Sequence, residues 1–253
     1  MDLSRLFSQH GYSLVELVVV IIIIGIIASI SITSMNSSTE TVRVEKTKKE
    51  LEQLAFAIAG NPKLISGGFR TDFGYVGDIG AMPSNLDDLV QNPGGYTTWD
   101  GPYIHDDYYA SAGASEVEFK IDAWGTVYTY TGGASITSQG GTTPITREIA
   151  PSLDHILRNT VSVVVIDVDN TPPGTINRDS VRMVMSYPNG SGAITTRTKY
   201  PAPDGYVQFD SIPIGSHRIR IVYLPDSDTL TRIVSVGQGQ NCHLTVSLFG
   251  DFW

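Results

Sequence analysis

Few residues in this chain stand where their types and spacing could do chemistry. His105 precedes Asp106 and Asp107, and Asp100 and Asp122 lie within reach in sequence. Such carboxylates could offer oxygen ligands to Ca²⁺, with Asp100, Asp106 and Asp107 as the candidates. They read equally as a solvated polar loop. Asp87 and Asp88 fall in the first turn of a helical pattern, where the helix dipole favours acids. The G-x-S-x-G elbow, the P-loop and the H-E-x-x-H pair are all absent. Gly237-Gln238-Gly239 lies between two strand patterns and reads as a turn. Cys242 is the single cysteine, so neither an intramolecular disulfide nor a cysteine-rich metal site can form. The expectation is a protein that is not an enzyme and holds no resident cofactor. One acid is oddly placed: Glu16, inside an otherwise apolar run from Gly11 to Ile32. A carboxylate in hydrocarbon costs at least a few kcal/mol, so it needs a partner.

The elements that would carry these residues follow from periodicity. Leu14–Ile32 has the length that crosses a bilayer as a helix, about 17–25 residues. Beyond it Val44, Leu51, Leu54, Ala55 and Ile58 recur at helical spacing. Glu45–Lys49, Lys46–Glu50 and Lys48–Glu52 are i,i+4 pairs on other faces. Gly60-Asn61-Pro62 reads as the stop. The spacing therefore predicts one helix to about Ala59, roughly 70 Å long at 1.5 Å per residue. A short helix follows, capped by Ser84 and faced by Leu86, Leu89 and Val90. A strand is expected to start at Tyr103–Ile104, a hairpin-like strand within Glu118–Tyr130, and a last short strand at Ala134–Ser138. Residues 141–160 read as a threonine- and glycine-rich linker ending in weak helical spacing through Ile149, Leu153, Ile156 and Leu157. After it, alternation around Val161–Val165, Val181–Met185, Val207–Phe209, Arg218–Val222 and Leu244–Leu248, with Pro/Gly turns between, predicts a small antiparallel sandwich.

A formal net charge of −9 argues against a nucleic-acid partner, which needs a basic surface. The apolar run alone fits an ordinary secretory signal or a plain anchor, but neither gives Glu16 a role.

The leader ending at Gly11, the Gly11-Tyr12 junction and Glu16 together resemble the N-terminus of type IV prepilins and pseudopilins. The resemblance implies a cut between Gly11 and Tyr12 by a prepilin peptidase, methylation of the new amine on Tyr12, and retention of the apolar helix. It also implies that Glu16 pairs with the amine of a neighbouring subunit; such pairing offsets part of each desolvation cost. Gly25 matches a glycine where the family helix loosens in the filament, and reads equally as a point of close helix approach. The family's following proline is replaced by Thr33 and Ser34.

Further on, Met82-Pro83 with Leu86 and Leu89, then Gly101-Pro102-Tyr103-Ile104, then Asp122-Ala123-Trp124-Gly125 with Tyr128 and Tyr130, resemble major pseudopilins of type II secretion systems. In that family Asp122 fixes a turn and Trp124 fills the core between sheet and helix. The acidic calcium loop of many members is missing here. The segment Asp204–Tyr223 resembles a carboxypeptidase-regulatory-like, transthyretin-type sandwich.

Together these imply an α+β chain: a long N-terminal membrane or filament helix packed on a small antiparallel sheet, then an all-β sandwich. The divisions are leader 1–11, helix 12–60, head 61–140, linker 141–160 and sandwich 161–253. The implied role is a subunit of a type II secretion pseudopilus supporting protein export. The alternatives are a surface type IV pilus for adhesion or motility, or a ligand-binding sandwich on a membrane anchor. Implied partners are copies of itself, other pilin-like subunits, the prepilin peptidase and methylase, and an inner-membrane platform protein. The implied location is the bacterial inner membrane, single-pass, with the globular part outside the cytoplasm, and a periplasmic or extracellular filament once assembled.

Overall fold

The computed structural model describes residues 13–104 and 118–253, apart from the side chains of residues 32, 33, 36 and 118. The chain divides into two units, the first ending at Lys46 and the second running from Thr47 to Trp253. The class is α+β, with an apolar N-terminal helix, small sheets and an all-β sandwich.

Helix α1 spans Leu14–Ala59, 46 residues without a break. Its Leu14–Ser31 portion is long and apolar enough to cross a bilayer, and none of it is buried. From Thr47 onward the helix has a buried face made by Thr47, Leu51, Leu54, Ala55 and Ile58. The i,i+3/i+4 spacing of these residues builds that face. At the C-terminus of α1, Gly60 takes a positive φ of 75°, where a Cβ would lie 2.3 Å from the Asp72 carbonyl oxygen. Arg70 closes this end: Nη2 donates to the carbonyls of Ala59 and Gly60, and Nε donates to that of Asp72 at 2.7 Å. The Ala59 and Gly60 carbonyls are among the ones a helix end leaves without partners.

A two-stranded ribbon, β1 (Ile65–Ser66) and β2 (Phe69–Arg70), precedes helix α2 (Gly74–Ile79). Next comes a 3₁₀ turn, Leu86–Leu89. Its cap is Asn85, not Ser84: Asn85 Oδ1 accepts from the Asp87 N–H at 2.8 Å. Asp88 reaches back to accept from the N–H groups of Ser84 and Asn85. Asn and Ser are near-equal caps, so type alone could not choose between neighbours. No strand forms at Tyr103–Ile104; the Tyr103 N–H donates to the Leu89 carbonyl at 2.8 Å instead of to a ladder. Glu118–Lys120 is a 3₁₀ turn, and the expected hairpin reduces to bridges between Ile121 and Val127 and between Thr129 and Thr137. Strand β3 (Ser135–Ser138) pairs antiparallel with β4 (Ile145–Glu148). Residues 141–160 are thus no plain linker. They hold β4 and helix α3 (Leu153–Leu157), and they bury Ile149, Ala150 and Ile156 in the same core as α1 and α2.

The sandwich consists of β5 (Asn159–Ile166), a turn of helix α4 (Gly174–Asn177), β6 (Val181–Pro188), β7 (Ile194–Lys199), β8 (Tyr206–Ile212), β9 (Gly215–Tyr223), β10 (Asp228–Val236) and β11 (Asn241–Ser247). One sheet has the order β10-β9-β6-β7 and the other β11-β5-β8. The sandwich is not wholly antiparallel, since β11 pairs parallel with β5. Strands β7 and β10 escape the apolar-alternation reading. Both are edge strands, and the inward row of β10 is interrupted by exposed Arg232 between Leu230 and Val234. Between the sheets lie Val161, Val163, Val165, Met183, Met185, Phe209, Ile219 and Ile221, all fully buried. Ile214, at the start of the β9 hairpin, belongs to the head's core rather than the sandwich's.

Candidate functional site

The site to be tested is the start of α1. Gly11 and Tyr12 lie outside the described residues, so the processing junction has no geometry here. Glu16 is exposed, and its Oε2 accepts from the Ser13 N–H at 3.0 Å. Ser13 in turn accepts through its carbonyl from the Leu17 N–H at 3.1 Å. Glu16 is thus the third helical residue after an N-cap serine, the acidic half of an S-x-x-E capping arrangement. That pattern was in the sequence and points to a local role which the apolar-run reading missed. Among the described residues the other oxygen of Glu16 has no partner. Every large apolar residue from Leu14 to Ile27 is exposed. A face this apolar needs lipid or protein around it.

A Cβ at Gly25 would meet nothing within 4 Å, so the single chain has no packing reason for glycine there. The hydroxyls of Ser29 and Ser31 donate to the carbonyls of Gly25 and Ile27, both at 2.9 Å. Those of Ser38, Thr39 and Thr41 repeat the i−4 pattern. This bonding satisfies hydroxyls without water, and it bends helices where it clusters.

Within the second unit, the motif residues of the head hold turns together. Asp122 is buried, and Oδ1 accepts from the N–H groups of Trp124 (3.0 Å) and Thr126 (2.9 Å). Oδ2 accepts from the Ser138 hydroxyl (2.6 Å) and the Gly140 N–H (3.0 Å). Burial acts to raise its pKa, but these hydrogen bonds outweigh burial and hold it below the usual carboxylate range. Gly125 completes the turn at φ 85°. Two residues before it, the backbone N–H of Ala123 donates to the buried Thr47 hydroxyl at 3.2 Å, tying this turn to α1. The Tyr128 hydroxyl does the same through Glu50 at 2.7 Å. Trp124 is half-buried and stands outside the apolar core, against Gly141, rather than filling the space between sheet and helix.

Pro83 offers its carbonyl to the Tyr130 hydroxyl at 3.1 Å. Gly101 and Pro102 are joined by a cis peptide. A Cβ on Gly101 would lie 2.4 Å from the Trp99 ring. Tyr103 sits edge-on to Tyr75 and Trp99, both at 5.7 Å, and its hydroxyl donates to Asp78 Oδ2 at 2.7 Å. Burial raises the pKa of Asp78; the Tyr103 hydrogen bond opposes this, and Asp100 and Asp72 add to it.

His105, Asp106 and Asp107 lie outside the described residues. Asp100 is exposed, and its N–H donates to the Tyr103 hydroxyl. Among the described residues, no group of three or more His, Cys, Asp or Glu side chains could hold a metal ion. Cys242 is half-buried and donates to the Ser235 carbonyl, and burial pushes its thiol pKa up.

Residues 6–32 match the prokaryotic N-terminal methylation motif. That motif marks a prepilin-like subunit processed by a peptidase. With the apolar helix it fits a single-pass, membrane-anchored subunit that goes on to assemble. No curated protein matches the chain. Among solved structures, the dioxygenase domain of a dioxygenase carbohydrate-binding protein fusion from Streptomyces sp. SirexAA-E is 13% identical. The match covers 37% of this chain and 80% of that one, with a TM-score of 0.27. The major pilin subunit of Bacillus cereus is 14% identical over 45% of this chain and 36% of that one, with a TM-score of 0.26. Neither likeness bears on function.

Proposed function

We propose that this chain is a pilin-like subunit of a type II secretion pseudopilus, cut after Gly11, methylated at Tyr12, and stacked through α1 to support protein export. The observation that carries the reading is a coincidence in position. The methylation motif at 6–32 overlaps a helix whose Leu14–Ser31 portion has no buried residue. The same apolar surface serves lipid first and neighbouring subunits later. The choice of a secretion filament rests on the resemblance around Pro83, Gly101–Ile104 and Asp122–Gly125. The filament's inner-membrane platform, other pilin-like subunits and the prepilin peptidase are the partners this reading requires, and it gives the chain no catalytic step. A surface pilus for adhesion or motility is the second reading, favoured by the sandwich from β5 to β11, which enlarges the exposed part of the subunit.

Intact mass and N-terminal sequencing of the mature protein test the processing step. The expected start is N-methyl-Tyr12; an intact Met1, or a cut beyond residue 28, sinks the reading. Glu16→Val is expected to leave membrane insertion intact while abolishing incorporation into filaments. Loss of export on deleting the gene, with surface filaments unchanged, separates the secretion role from a surface pilus.

A further inference from the structure

The outer face of the β10-β9-β6-β7 sheet is basic in a chain whose net charge is −9. The registers put Thr231, Arg220, Val184 and Thr198 in one row across the four strands. Ile233, Arg218, Ser186 and Thr196 form the next. Arg182 stands opposite Val222, diagonal to Arg220. Successive outward residues on one strand are about 6.6–6.8 Å apart, and diagonal neighbours on adjacent strands about 7–8 Å. Three guanidinium groups therefore share one patch, and no acid occupies any of these positions. Val184 and Val222 are buried on this outward face, beside the arginines of adjacent strands. Arginine stems cover apolar surface in this way while their heads stay in water. Arg218 and Arg220 are exposed. Among the described residues no ion pair or side-chain hydrogen bond holds Arg182, Arg218 or Arg220, and Arg182 Nε is buried without a partner. Ile233, opposite Arg218, is 61% exposed. Arginine beside exposed apolar side chains is the composition of an interface centre.

The complementary charge is on the same sandwich, at the strand ends away from the Ile214 turn. Asp169, Asp179, Asp204, Asp226, Asp228 and Asp251 are all exposed there. Backbone bonds gather their loops at one end: Gly174 N–H to the Pro203 carbonyl, Leu224 N–H to that of Ser180, and Val168 N–H to that of Gly250. Asp179 pairs with Arg178 at 3.6 Å; among the described residues Asp226 and Asp228 have no side-chain partner.

We infer that the basic sheet face around Arg218 and Arg220 receives the acidic end, around Asp226 and Asp228, of a second copy of this chain. Like-with-like pairing of either patch sets equal charges against each other, so the contact joins different surfaces of the two copies. Such a heterologous contact propagates into a ring or an open filament. The inference deepens the assembly reading and rests on it for the second copy, but it concerns the sandwich, a part that the helix does not require.

Full-length protein in native membranes tests it, in a Cys242→Ser background. One copy carries Ile233→Cys on the basic face and the other Ser227→Cys in the acidic turn. Oxidation is expected to join them as a mixed dimer. Arg218→Glu with Arg220→Glu in the first copy should lower the yield at least tenfold, equivalent to about 1.4 kcal/mol. Asp226→Lys with Asp228→Lys in the second should do the same, and combining both reversals should restore the cross-link. Yields that ignore the reversals, or reversals that fail to compensate, overturn the inference. Retention on dextran sulfate that is lost in the arginine variants while cross-linking persists also overturns it, in favour of a soluble polyanion. N-terminal mass from the same samples keeps the two readings apart. A mature N-methyl-Tyr12 with charge-independent cross-linking defeats only this inference, whereas an uncut N-terminus defeats the assembly reading itself.

Discussion

Two aspartates of the head show how neighbours decide what one residue type does. Asp122 is held below the usual carboxylate range, because burial, which would raise its pKa, is outweighed by bonds from Ser138, Thr126, Trp124 and Gly140. The folded state therefore binds this proton less readily than the unfolded one. The stability it contributes is complete above the ordinary Asp pKa and is lost as the pH falls through the lowered folded value. Asp122→Ala removes the acceptor for four donors and is expected to cost about 3 kcal/mol at neutral pH, since buried donors are left without partners. Chemical denaturation at pH 7 and pH 3 checks this, and the difference between wild type and variant should shrink at the lower pH. Asp78 behaves in the opposite sense, because burial and the nearby Asp100 and Asp72 raise its pKa. Its favourable contribution belongs to the protonated form, present at low pH and lost as the pH rises through the raised value. Asp78→Asn should therefore raise the melting temperature at neutral pH and change little in acid. A lower melting temperature at neutral pH would show that the Tyr103 bond outweighs the desolvation.

At the level of elements, the head and the sandwich meet through close backbone contacts as well as through Ile214, which is buried in the head's core. The Gly190 N–H donates to the Ile79 carbonyl at 2.7 Å, and the Thr97 N–H to that of Gly192 at 2.8 Å. Gly80 has φ 80°, and a Cβ there would lie 2.3 Å from the Pro188 carbonyl oxygen. Gly192, at φ 74°, would press a Cβ to 2.1 Å from the Tyr96 ring. Gly192→Val is thus expected to destabilise the second unit by roughly 2–4 kcal/mol, combining backbone strain with overpacking. Thermal unfolding of the full chain in detergent measures it. Phe209→Ala, inside the sandwich at 0% exposure, should cost about 3–5 kcal/mol. If the two cores unfold together, both substitutions will shift one common transition. Two separate transitions, each moved by one substitution only, would show that the seam does not couple them.

For the whole molecule, the question is which surfaces the chain leaves for others. The Leu14–Ser31 stretch buries nothing of its own, so its stability is lent by lipid or by neighbouring subunits. The sandwich is different: it has a buried core of its own, and its outer face carries exposed arginines beside exposed Ile233. An interaction carried by exposed charges weakens with salt, because the screening length is about 8–10 Å near physiological ionic strength. Raising the salt should therefore reduce cross-linking between Ile233→Cys and Ser227→Cys more than any cross-link placed along α1. Equal losses at both places would assign the contact to the helix alone.

Much of this architecture is legible from residue order. The apolar run with its single acid, the helix to Ala59 and most of the sandwich strands follow from periodicity, because burial on one face leaves a period of 3.6 or 2 in the chain. The junction at Gly11-Tyr12 and the place of Glu16 are likewise matters of order and spacing. Other features needed the tertiary structure. Strands β7 and β10 are edges, so their pairing depends on which neighbour lies beside them, and Thr- or Arg-rich segments carry no period that reveals it. Residues 141–160 carry only weak helical spacing, and that Ile149, Ala150 and Ile156 join a core with α1 and α2 depends on distant elements. The parallel pairing of β11 with β5 joins residues some 80 positions apart, as the Ser162 hydroxyl bonded to the Cys242 carbonyl shows. Arg182, Arg218 and Arg220 come from two separated strands, and only the register of β6 against β9 makes them one patch. Local order determines which face a residue takes; the pairing of distant strands decides which residues share it.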